Sequence, residues 1–318
     1  MPDSFFHTAA YGGEGWQPRK TSTREELGQL WADCGQNSEW TPLKRVLLHR
    51  PGPELLVDDP DAAQLLARVD LQRVQAQHDV LALAYRDAGV IVEYVEPDST
   101  PPPNLMFVAD LMLMTPEGAI LARPASSVRA GEERFIAQRL AALGVPILHS
   151  VHGRATFEGA DAMWLTPQLA LVADGLRTNP SGREQVASTL AEMSIQVTPA
   201  GLPWGAMHLM GSLRIVDKDL AIVWPGRIPF AAVRALRAHG FAVHFLPDET
   251  EATRGFVLNF VTLGPRKILM AAGNPITQRF YEKLGVACVT IQVDELTKAA
   301  GGIGCLTGVL KREAEGKR

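Results

Sequence analysis

The sequence predicts an α/β protein built from five repeats of a strand–strand–helix–strand unit. Joints between an amphipathic helical pattern and a β-rich run recur at intervals of roughly 45 to 55 residues, a spacing typical of repeat proteins. Two further short apolar runs accompany each joint. The alternative is an ordinary α/β fold with evenly spaced helices, because glycine follows helices in many folds. The count of five joints favours repetition.

The overall composition is that of a globular protein and argues against several classes of partner. The 318 residues are 46% hydrophobic and 21% charged, with a net charge of −4 and no basic stripe with interleaved aromatics. We therefore expect no nucleic acid and no membrane as partners. No apolar run approaches the ~18 residues of a membrane span, and the polar start lacks a signal-peptide pattern. Three scattered cysteines without a CxxC motif predict free thiols and a cytoplasmic location.

The elements can be assigned in order from the N-terminus. Residues 1–40 mix glycine, proline, serine and charge, so we expect an extension that lies on the surface of a single domain at 41–318. Residues 46–50 (VLLHR) are typical of a first strand. An amphipathic helix follows at about 60–88, and residues 90–95 form the next strand.

The five joints organise the remainder of the chain. Four contain glycine and one does not; they are Gly89-Val90, Gly144-Val145, Met193-Ser194-Ile195, Gly240-Phe241 and Gly285-Val286. Further strands within the units are predicted at 119–122, 169–172 and 220–223. A closed ring of such units places their turns at a shared centre, so polar residues far apart in sequence can converge there.

A glycine-rich stretch near the C-terminus surrounds one cysteine. Residues 301–308 read GGIGCLTG, and glycine allows the backbone to approach a ligand closely because it has no Cβ. Cys305 is a candidate nucleophile if a histidine or backbone donors favour its thiolate. A buried, inert thiol is the alternative, and this stretch alone leaves the two interpretations even. We expect Cys34 and Cys288 to be ordinary packing or surface thiols.

Two stretches place carboxylates within apolar surroundings. Asp110 lies in the run NLMFVADLMLM, with no arginine or lysine beside it in sequence. It could cap a turn or bind a cationic ligand, and we expect the ligand. Glu158 and Asp161 flank Gly-Ala in the stretch TFEGADAMWL. Asp161 is typical of a turn residue, which leaves Glu158 as the better candidate for acid–base or ligand work.

A histidine and two arginines complete the set of candidates. His208 is flanked by apolar residues before a Gly-Ser turn, and a satisfied core histidine is the more common outcome for such a position. If His208 pairs with Cys305, it favours the thiolate and supplies a proton donor. Arg129 and Arg177 lie in polar turns and could clamp a carboxylate bidentately, with a surface salt bridge as the alternative for each.

The order of these motifs resembles the guanidine-modifying superfamily called penteins. The motifs are NLMF followed by Asp110, EGAD, RTN, HL, and a glycine-rich CLT, and the resemblance covers about residues 40–312. The superfamily includes arginine deiminase, amidinotransferases and dimethylarginine dimethylaminohydrolase. Its fold, a five-bladed α/β propeller with pseudo-fivefold ββαβ repeats, agrees with the five units counted above.

The resemblance implies a catalytic set. Cys305 would attack the guanidinium carbon and form a covalent S-alkylthiouronium intermediate. His208 would be general acid for the departing amine and then the base that activates water. Glu158 would orient the imidazole and hold guanidinium nitrogens.

The resemblance also implies a set of substrate-binding residues. Asp110 would be a second guanidinium carboxylate, and Arg129 and Arg177 match positions that hold the α-carboxylate of an arginine-like substrate. Asp161 and Asn179 are similar to supporting turn residues of the same site.

Departures from the family pattern bear on the subclass. Deiminases and amidinotransferases carry His-X-Asp, and here Met210 takes the place of that aspartate. Ala109 and Gly304 replace residues that are often charged or histidine in relatives. A methionine leaves fewer acceptors for N–H groups and more room for N-alkyl substituents. This pattern is most similar to dimethylarginine dimethylaminohydrolase.

The leading hypothesis is therefore a hydrolase that acts on an Nω-substituted, methylated arginine and gives citrulline and an amine. The alternatives are amidino transfer to an amine acceptor, an arginine deiminase or dihydrolase type of activity, and a non-catalytic arginine-binding regulatory protein. We expect a small guanidino substrate, no metal and no cofactor. A homodimer is compatible with the sequence, which does not determine the oligomeric state.

Overall fold

Five separate three-stranded sheets form the framework of the computed structural model, which describes residues 5–315. The strands are β1 (Leu43–Leu48), β2 (Ile91–Tyr94), β3 (Met112–Thr115), β4 (Gly118–Leu121), β5 (Ile147–Ser150), β6 (Ala162–Thr166), β7 (Leu169–Asp174), β8 (Gln196–Gly201), β9 (Leu213–Asp217), β10 (Leu220–Val223), β11 (Ala242–Phe245), β12 (Val261–Gly264), β13 (Lys267–Ala271), β14 (Ala287–Ile291) and β15 (Gly308–Arg312).

Eight α-helices lie between or beside these strands in residues 5–315. They are α1 (Thr23–Glu26), α2 (Leu71–Asp87), α3 (Glu132–Ala142), α4 (Pro180–Glu192), α5 (Phe230–Ala238), α6 (Glu249–Arg254), α7 (Pro275–Lys283) and α8 (Ile303–Leu306). No helix within residues 5–315 has both the length and the apolar character needed to cross a bilayer.

Each sheet is built from an antiparallel pair of strands and one parallel strand. In four units the order along the chain is hairpin, helix and returning strand, as in β3-β4-α3-β5. The fifth unit joins the two ends of the chain, because β15 pairs antiparallel with β1 and β2 pairs parallel with β1 after α2. The predicted α/β class and the five strand–strand–helix–strand units are confirmed.

The helix-to-strand joints share one backbone conformation. Gly89, Gly144, Gly240 and Gly285 have φ between 74° and 83°, the left-handed region in which glycine is favoured. The fifth joint lacks glycine, yet Ser194 adopts φ 59° at the equivalent place. The periodic joints in the sequence therefore mark a repeated structural element.

Two boundaries differ from the sequence-based expectation. The first long helix begins at Leu71 and not near residue 60, because the Asp70 side chain accepts hydrogen bonds from the N–H groups of Gln72 and Arg73 and so caps the helix there. The first strand spans Leu43–Leu48 instead of residues 46–50.

The N-terminal extension is mostly exposed, but its last part is not. The buried residues at its end are Cys34, Gln36, Ser38 and Trp40, and Trp40 belongs to the core around β6, β7 and β9. The expectation of a surface segment is therefore wrong for residues 34–40, because Gly35 bonds to the C-terminal strand β15. Residues 1–4 lie outside the described part.

The apolar core lies between each sheet and its helix. In the unit β3-β4-α3-β5, for example, Leu111 and Leu121 pack with Ile136 and Leu140 of α3, and all four are at most 5% exposed. Burial of such side chains stabilises each unit by about 2 kcal/mol per large residue. These packed units hold rigidly the turns that precede their first strands.

Candidate active site

Five polar residues occupy equivalent places in the five units. Each lies in the segment just before the first strand of its sheet: Asp110 before β3, Glu158 before β6, His208 before β9, Asn259 before β12 and Cys305 before β15. The turns at residues 108–110, 159–161 and 209–211 contact one another in succession, and the turn at 108–110 also contacts α8, which carries Cys305. The repeat thus brings side chains from the whole chain into one region.

His208 is held by two carboxylates. Its Nε2 lies 2.7 Å from Glu158 Oε2, its Nδ1 lies 3.9 Å from Asp110 Oδ1, and the side chain is 4% exposed. Burial alone lowers the pKa of His208, but Asp110, Glu158 and the nearby Asp161 outweigh it and raise the pKa to about 9. The imidazole is therefore protonated at neutral pH and can donate a proton.

Glu158 is fully buried and remains ionised. Burial raises its pKa, but the hydrogen bond from His208 and the positive charges of His208, Arg129 and Arg177 lower it to about 2. Its Oε2 accepts a hydrogen bond from Arg129 Nη1 at 3.3 Å, and its Oε1 lies 3.6 Å from Arg177 Nη1. The Ala125 N–H donates to Oε1 at 3.2 Å. Glu158 can therefore orient the imidazole of His208.

Asp110 has a cationic partner that is distant in sequence. Arg129 Nη1 donates to Asp110 Oδ2 at 2.7 Å, and Arg129 Nε donates to Glu132 at 2.9 Å. Asp110 therefore pairs with an arginine in the folded chain, although no arginine or lysine lies beside it in sequence. Asp110 Oδ1 remains buried without a hydrogen-bond donor, so one acceptor of this carboxylate is unused.

Arg129 contacts three buried carboxylates: Asp110, Glu132 and Glu158. Burial lowers the pKa of its guanidinium, but these carboxylates outweigh burial and raise it above the ordinary value. Burial also raises the pKa of Glu132 to about 7, against the effect of Arg129. The position of Arg129 at the centre of this group fixes Asp110 and Glu158 relative to each other.

Arg177 is buried but poorly paired. It is 8% exposed, and its Nε and Nη1 have no hydrogen-bond partner among the described residues. Arg177 lines a small cavity of about 20 Å³ together with Asp110, Arg129 and Cys305. A buried guanidinium with unpaired N–H groups is costly, so this arginine is ready to bind an anionic group.

Asp161 and Asn179 support the turns beneath these groups. Asp161 is buried and accepts hydrogen bonds from the Thr178 hydroxyl at 2.7 Å and the Leu209 N–H at 3.0 Å. Burial raises its pKa to about 6. Asn179 caps α4, since its Oδ1 accepts from Gly182 N–H at 2.9 Å. Neither residue lines the cavities that contain Cys305.

Cys305 is buried, and one amide side chain bonds to both its backbone N–H and its sulfur. Asn259 Oδ1 accepts the Cys305 backbone N–H at 2.9 Å, and Asn259 Nδ2 donates to Cys305 Sγ at 2.9 Å. The backbone N–H of Gly304 also donates to the Asn259 carbonyl at 2.9 Å. Burial and then Asp110 raise the pKa of the Cys305 thiol to about 11, while the Asn259 donor opposes the rise.

The glycines around Cys305 serve close packing. Their φ angles lie outside the left-handed region. A Cβ on Gly301 would lie 2.2 Å from the Phe107 ring, and one on Gly304 would lie 2.8 Å from Asn259 Oδ1. Close approach of the backbone, and not turn strain, therefore explains the glycine-rich stretch.

Replacing Asn259 by leucine should lower kcat/KM by about tenfold to a hundredfold. The substitution removes the donor to the sulfur and leaves the buried Cys305 N–H without an acceptor. The thiol should then have a still higher pKa, which slows its alkylation by iodoacetamide. Alkylation rates across pH, measured in a Cys34→Ser background, test this effect. An unchanged alkylation rate would contradict the role assigned to Asn259.

Two cavities meet at Cys305. The small one described above contains Asp110 and Arg177, and a larger one of about 220 Å³ contains His208 and Met210. Both are lined by Met207, Ala300 and Cys305. The sulfur is therefore placed between a charged cavity and a second cavity on the side of the imidazole.

The ligand-type atoms of Asp110, Glu158 and His208 all lie within 4.8 Å of one another. A divalent cation at this place would face the guanidinium of Arg129, whose Nη1 already lies 2.7 Å from Asp110 and 3.3 Å from Glu158. Repulsion between these positive charges disfavours a metal. The arrangement suits a planar organic cation that approaches the free oxygen of Asp110.

Sequence reasoning missed two members of this group. Asn259 lies in the apolar stretch VLNFV, which is the same signal that identified Asp110 in its apolar run. Glu132 follows Arg129 by three residues at the start of α3, where a solvated carboxylate is common. Only the fold shows that Glu132 is fully buried.

The chain is similar in sequence to arginine deiminase and to dimethylarginine dimethylaminohydrolases. Residues 245–312 match the sequence profile of the arginine deiminase family. The chain is 28% identical over 273 residues to N(G),N(G)-dimethylarginine dimethylaminohydrolase of Streptomyces coelicolor, covering 84% of this chain and 96% of that one. It is 22% identical over 264 residues to the protein of the same name from Pseudomonas aeruginosa, with 83% and 98% covered.

Solved structures share the fold. Dimethylarginine dimethylaminohydrolase of P. aeruginosa, in complex with citrulline, matches with a TM-score of 0.71 at 20% identity and covers 84% of this chain and 98% of its own. An amidinotransferase of saxitoxin biosynthesis from Microseira wollei matches with a TM-score of 0.72 at 14% identity, covering 90% and 99%. The resemblance to the pentein superfamily, and with it the prediction of an enzyme, is confirmed.

Proposed function

We propose that this chain hydrolyses an Nω-substituted arginine, such as a methylated arginine, to citrulline and an amine. One observation carries the proposal. The cavity beside Cys305 contains a buried acceptor without a donor, Asp110 Oδ1, and buried donors without an acceptor, on Arg177. These two unused groups match the positive guanidinium and the negative carboxylate of an arginine-like molecule.

The guanidinium would bind beside the carboxylates, and the α-carboxylate would bind Arg177. Arg129 was assigned to the α-carboxylate as well, but its three carboxylate contacts support a positioning role. Asp161 and Asn179 would act through the turns that they brace. Met210 lines the larger cavity and offers no charge to a substrate N–H.

The chemistry proceeds in two balanced steps. First, the Cys305 thiol gives its proton to solvent as the guanidinium binds, its sulfur bonds to the guanidinium carbon, the bond from that carbon to the substituted nitrogen breaks, and His208 gives the departing amine a proton. Second, water gives one proton to His208 while its oxygen bonds to the same carbon, and the carbon–sulfur bond then breaks as the remaining hydroxyl proton passes to the departing sulfur. In sum, a substituted guanidinium and water give a ureido group and an alkylammonium ion.

The substrate's own charge would activate the nucleophile. Without a ligand the thiol is protonated at neutral pH, because burial and Asp110 raise its pKa to about 11. A guanidinium bound against Asp110 neutralises that carboxylate and adds a positive charge next to the sulfur, which lowers the thiol pKa. Attack would therefore be coupled to binding.

A panel assay tests the function. Ureido product is measured for arginine, Nω-methylarginines, agmatine and guanidino acids, with and without glycine or lysine as acceptor. We expect citrulline from methylated arginine and a Cys305 adduct in the mass spectrum of rapidly denatured protein. Transfer to an acceptor without ureido product would identify an amidinotransferase instead. Binding without product or adduct would identify an arginine-binding protein.

Replacing Arg177 by alanine should raise KM about tenfold to a hundredfold for substrates with an α-carboxylate and leave agmatine nearly unaffected. Agmatine has no α-carboxylate, so it makes no charge-assisted hydrogen bonds to Arg177 that the substitution could remove. Steady-state kinetics on both substrates measure the ratio. Arg154→Ala, at an exposed arginine outside the site, is the matched control. An equal loss on agmatine would refute the carboxylate role.

We also propose that the five sheets close into a five-bladed propeller within one domain at 41–318. The contacts that support this run from unit to unit. β15 contacts β3, the turns at 108–110, 159–161 and 209–211 contact in succession, β9 contacts β12, and β12 contacts β1. The cytoplasmic location stays a prediction.

A further inference from the structure

The larger cavity beside Cys305 has no role in the binding of an arginine's charged ends. Its volume is about 220 Å³, and Asp110, Arg129 and Arg177 are not among its lining residues. We call it the side chamber. Its walls come mainly from the segments at 205–212 and 252–259, and they also include Trp224, Arg227 and Cys305.

The walls of the side chamber are mostly apolar. No aspartate or glutamate is among the described residues that line it, and its charged groups are His208 and Arg227. Arg227 is already engaged, because its Nη1 donates to the Gly205 carbonyl at 2.7 Å and its guanidinium lies 4.2 Å from the centre of the Trp224 ring. The side chamber therefore suits a neutral apolar group.

The side chamber lies on the leaving-group side of the reaction. His208, which would protonate the departing nitrogen, and Cys305, which would attack the carbon, both line it. Asp110 and Arg177 line the small cavity, which shares Cys305 with the side chamber but does not include His208. A guanidinium held against Asp110 would therefore direct its substituted nitrogen, and whatever that nitrogen carries, into the side chamber.

We propose that the side chamber binds the Nω-substituent of the substrate and accepts apolar groups considerably larger than two methyls, up to butyl or benzyl. This inference rests on the proposed hydrolysis of Nω-substituted arginines. The size of the side chamber supports this inference. An apolar cavity of about 150 Å³ in another protein holds a benzene molecule, and the side chamber is about 220 Å³. Two methyl groups would leave most of that volume unfilled.

The first experiment compares a homologous series of substrates. Citrulline formation is measured for Nω-methyl-, ethyl-, propyl-, butyl- and benzyl-arginine and for asymmetric dimethylarginine. We expect kcat/KM to rise about fourfold per added methylene up to butyl, since each buried methylene contributes about 0.8 kcal/mol. An Nω-aminopropyl substituent, matched to butyl in length, should lose at least about tenfold against it, because the charged groups of the walls, His208 and Arg227, are both cations.

The second experiment narrows the side chamber. A Cβ on Gly211 would meet no atom within 4 Å, and its φ lies outside the left-handed region, so the side chain of Gly211→Leu begins in open space beside the side chamber. The variant should lower kcat/KM for butyl- and benzyl-arginine at least about tenfold more than for methylarginine. Gly201→Leu is the matched control, since Gly201 is exposed in β8 and a Cβ there would meet only Asp174 Oδ1, at 3.8 Å.

The outcomes separate the inference from the proposed function. If no substituted arginine yields citrulline, the proposed hydrolysis is wrong and the inference falls with it. If dimethylarginine is converted but the butyl and benzyl compounds react at least tenfold more slowly, only the inference is overturned. An equal loss on all substrates in Gly211→Leu would mean that the side chamber is the access route to the site, which also overturns it. If the aminopropyl compound is a better substrate than the butyl compound, the apolar assignment is refuted.

Discussion

Replacing Cys305 by serine is expected to abolish turnover of methylated arginine, with kcat lowered by at least about 10³-fold. A serine hydroxyl is a far weaker nucleophile than a thiol, and the site offers no base that contacts it directly to compensate. Binding should change little, because the charged ends of the ligand contact Asp110 and Arg177 and not the sulfur. Steady-state citrulline formation and isothermal titration calorimetry with substrate measure the two effects separately.

Control variants sharpen this prediction. Cys34 is buried in the extension and Cys288 is half-buried in β14, and both are free thiols. Neither residue lines the two cavities that contain Cys305, so neither is placed to attack a guanidinium bound there. Cys34→Ser and Cys288→Ser should keep full activity and the covalent adduct. Near-normal turnover in Cys305→Ser would refute the covalent mechanism.

The second large effect is expected for His208→Asn, which should lower kcat by about 10² to 10⁴-fold. In the proposed mechanism the imidazole supplies the proton without which an amine is a poor leaving group, and it activates water in the second step. Asparagine is similar in size and can still bond to Glu158, so the loss should reflect proton transfer and not collapse of the site. His239→Asn, at an exposed histidine, is the control.

A change of leaving group tests which step His208 serves. An S-alkylthiocitrulline departs as a thiolate, which needs no proton from the protein. The first step of His208→Asn, followed as Cys305 adduct in a single turnover, should therefore lose at least about tenfold less activity on this compound than on methylarginine. An equal loss on both compounds would contradict the role of His208 as the general acid.

His208 should also affect stability in a pH-dependent way. Its pKa in the folded chain is about 9, above the ordinary 6.5. A raised pKa means that protonation stabilises the fold, so the contribution is fully present below pH 6.5 and is lost as pH rises through about 9. Denaturant unfolding at pH 6.5 and 10 should show a loss of about 3 kcal/mol in the native chain and a smaller one in His208→Asn. An equal loss of stability in the native chain and in His208→Asn would contradict the stabilising role of the protonated imidazole.

Much of the fold could be predicted from local patterns. The glycines at 89, 144, 240 and 285 end helices in the left-handed conformation, a property of the residue itself. Apolar periodicity located the strands between them. The start of α2 was placed too early, because apolar residues continue in sequence before Leu71 while the cap that begins the helix is the single side chain of Asp70.

Only part of the candidate site could be predicted from local sequence patterns. Polar residues in apolar runs identified Asp110 and His208, and the same signal at Asn259 was overlooked. The pairing of Arg129 with Asp110 was missed because the two are 19 residues apart and meet only through the hairpin of β3 and β4. Sequence proximity does not report such contacts.

The amino-acid sequence by itself determined the repeating α/β architecture, the reactive residue types and their kinship with guanidine-modifying enzymes, because these depend on local propensity and on the chemistry of single side chains. Tertiary structure alone decided which charges neutralise one another, which remain unpaired and how much space adjoins the sulfur. The physical reason is that pairing, burial and cavity volume are properties of distances between segments, and those distances exist only once the five units have packed together.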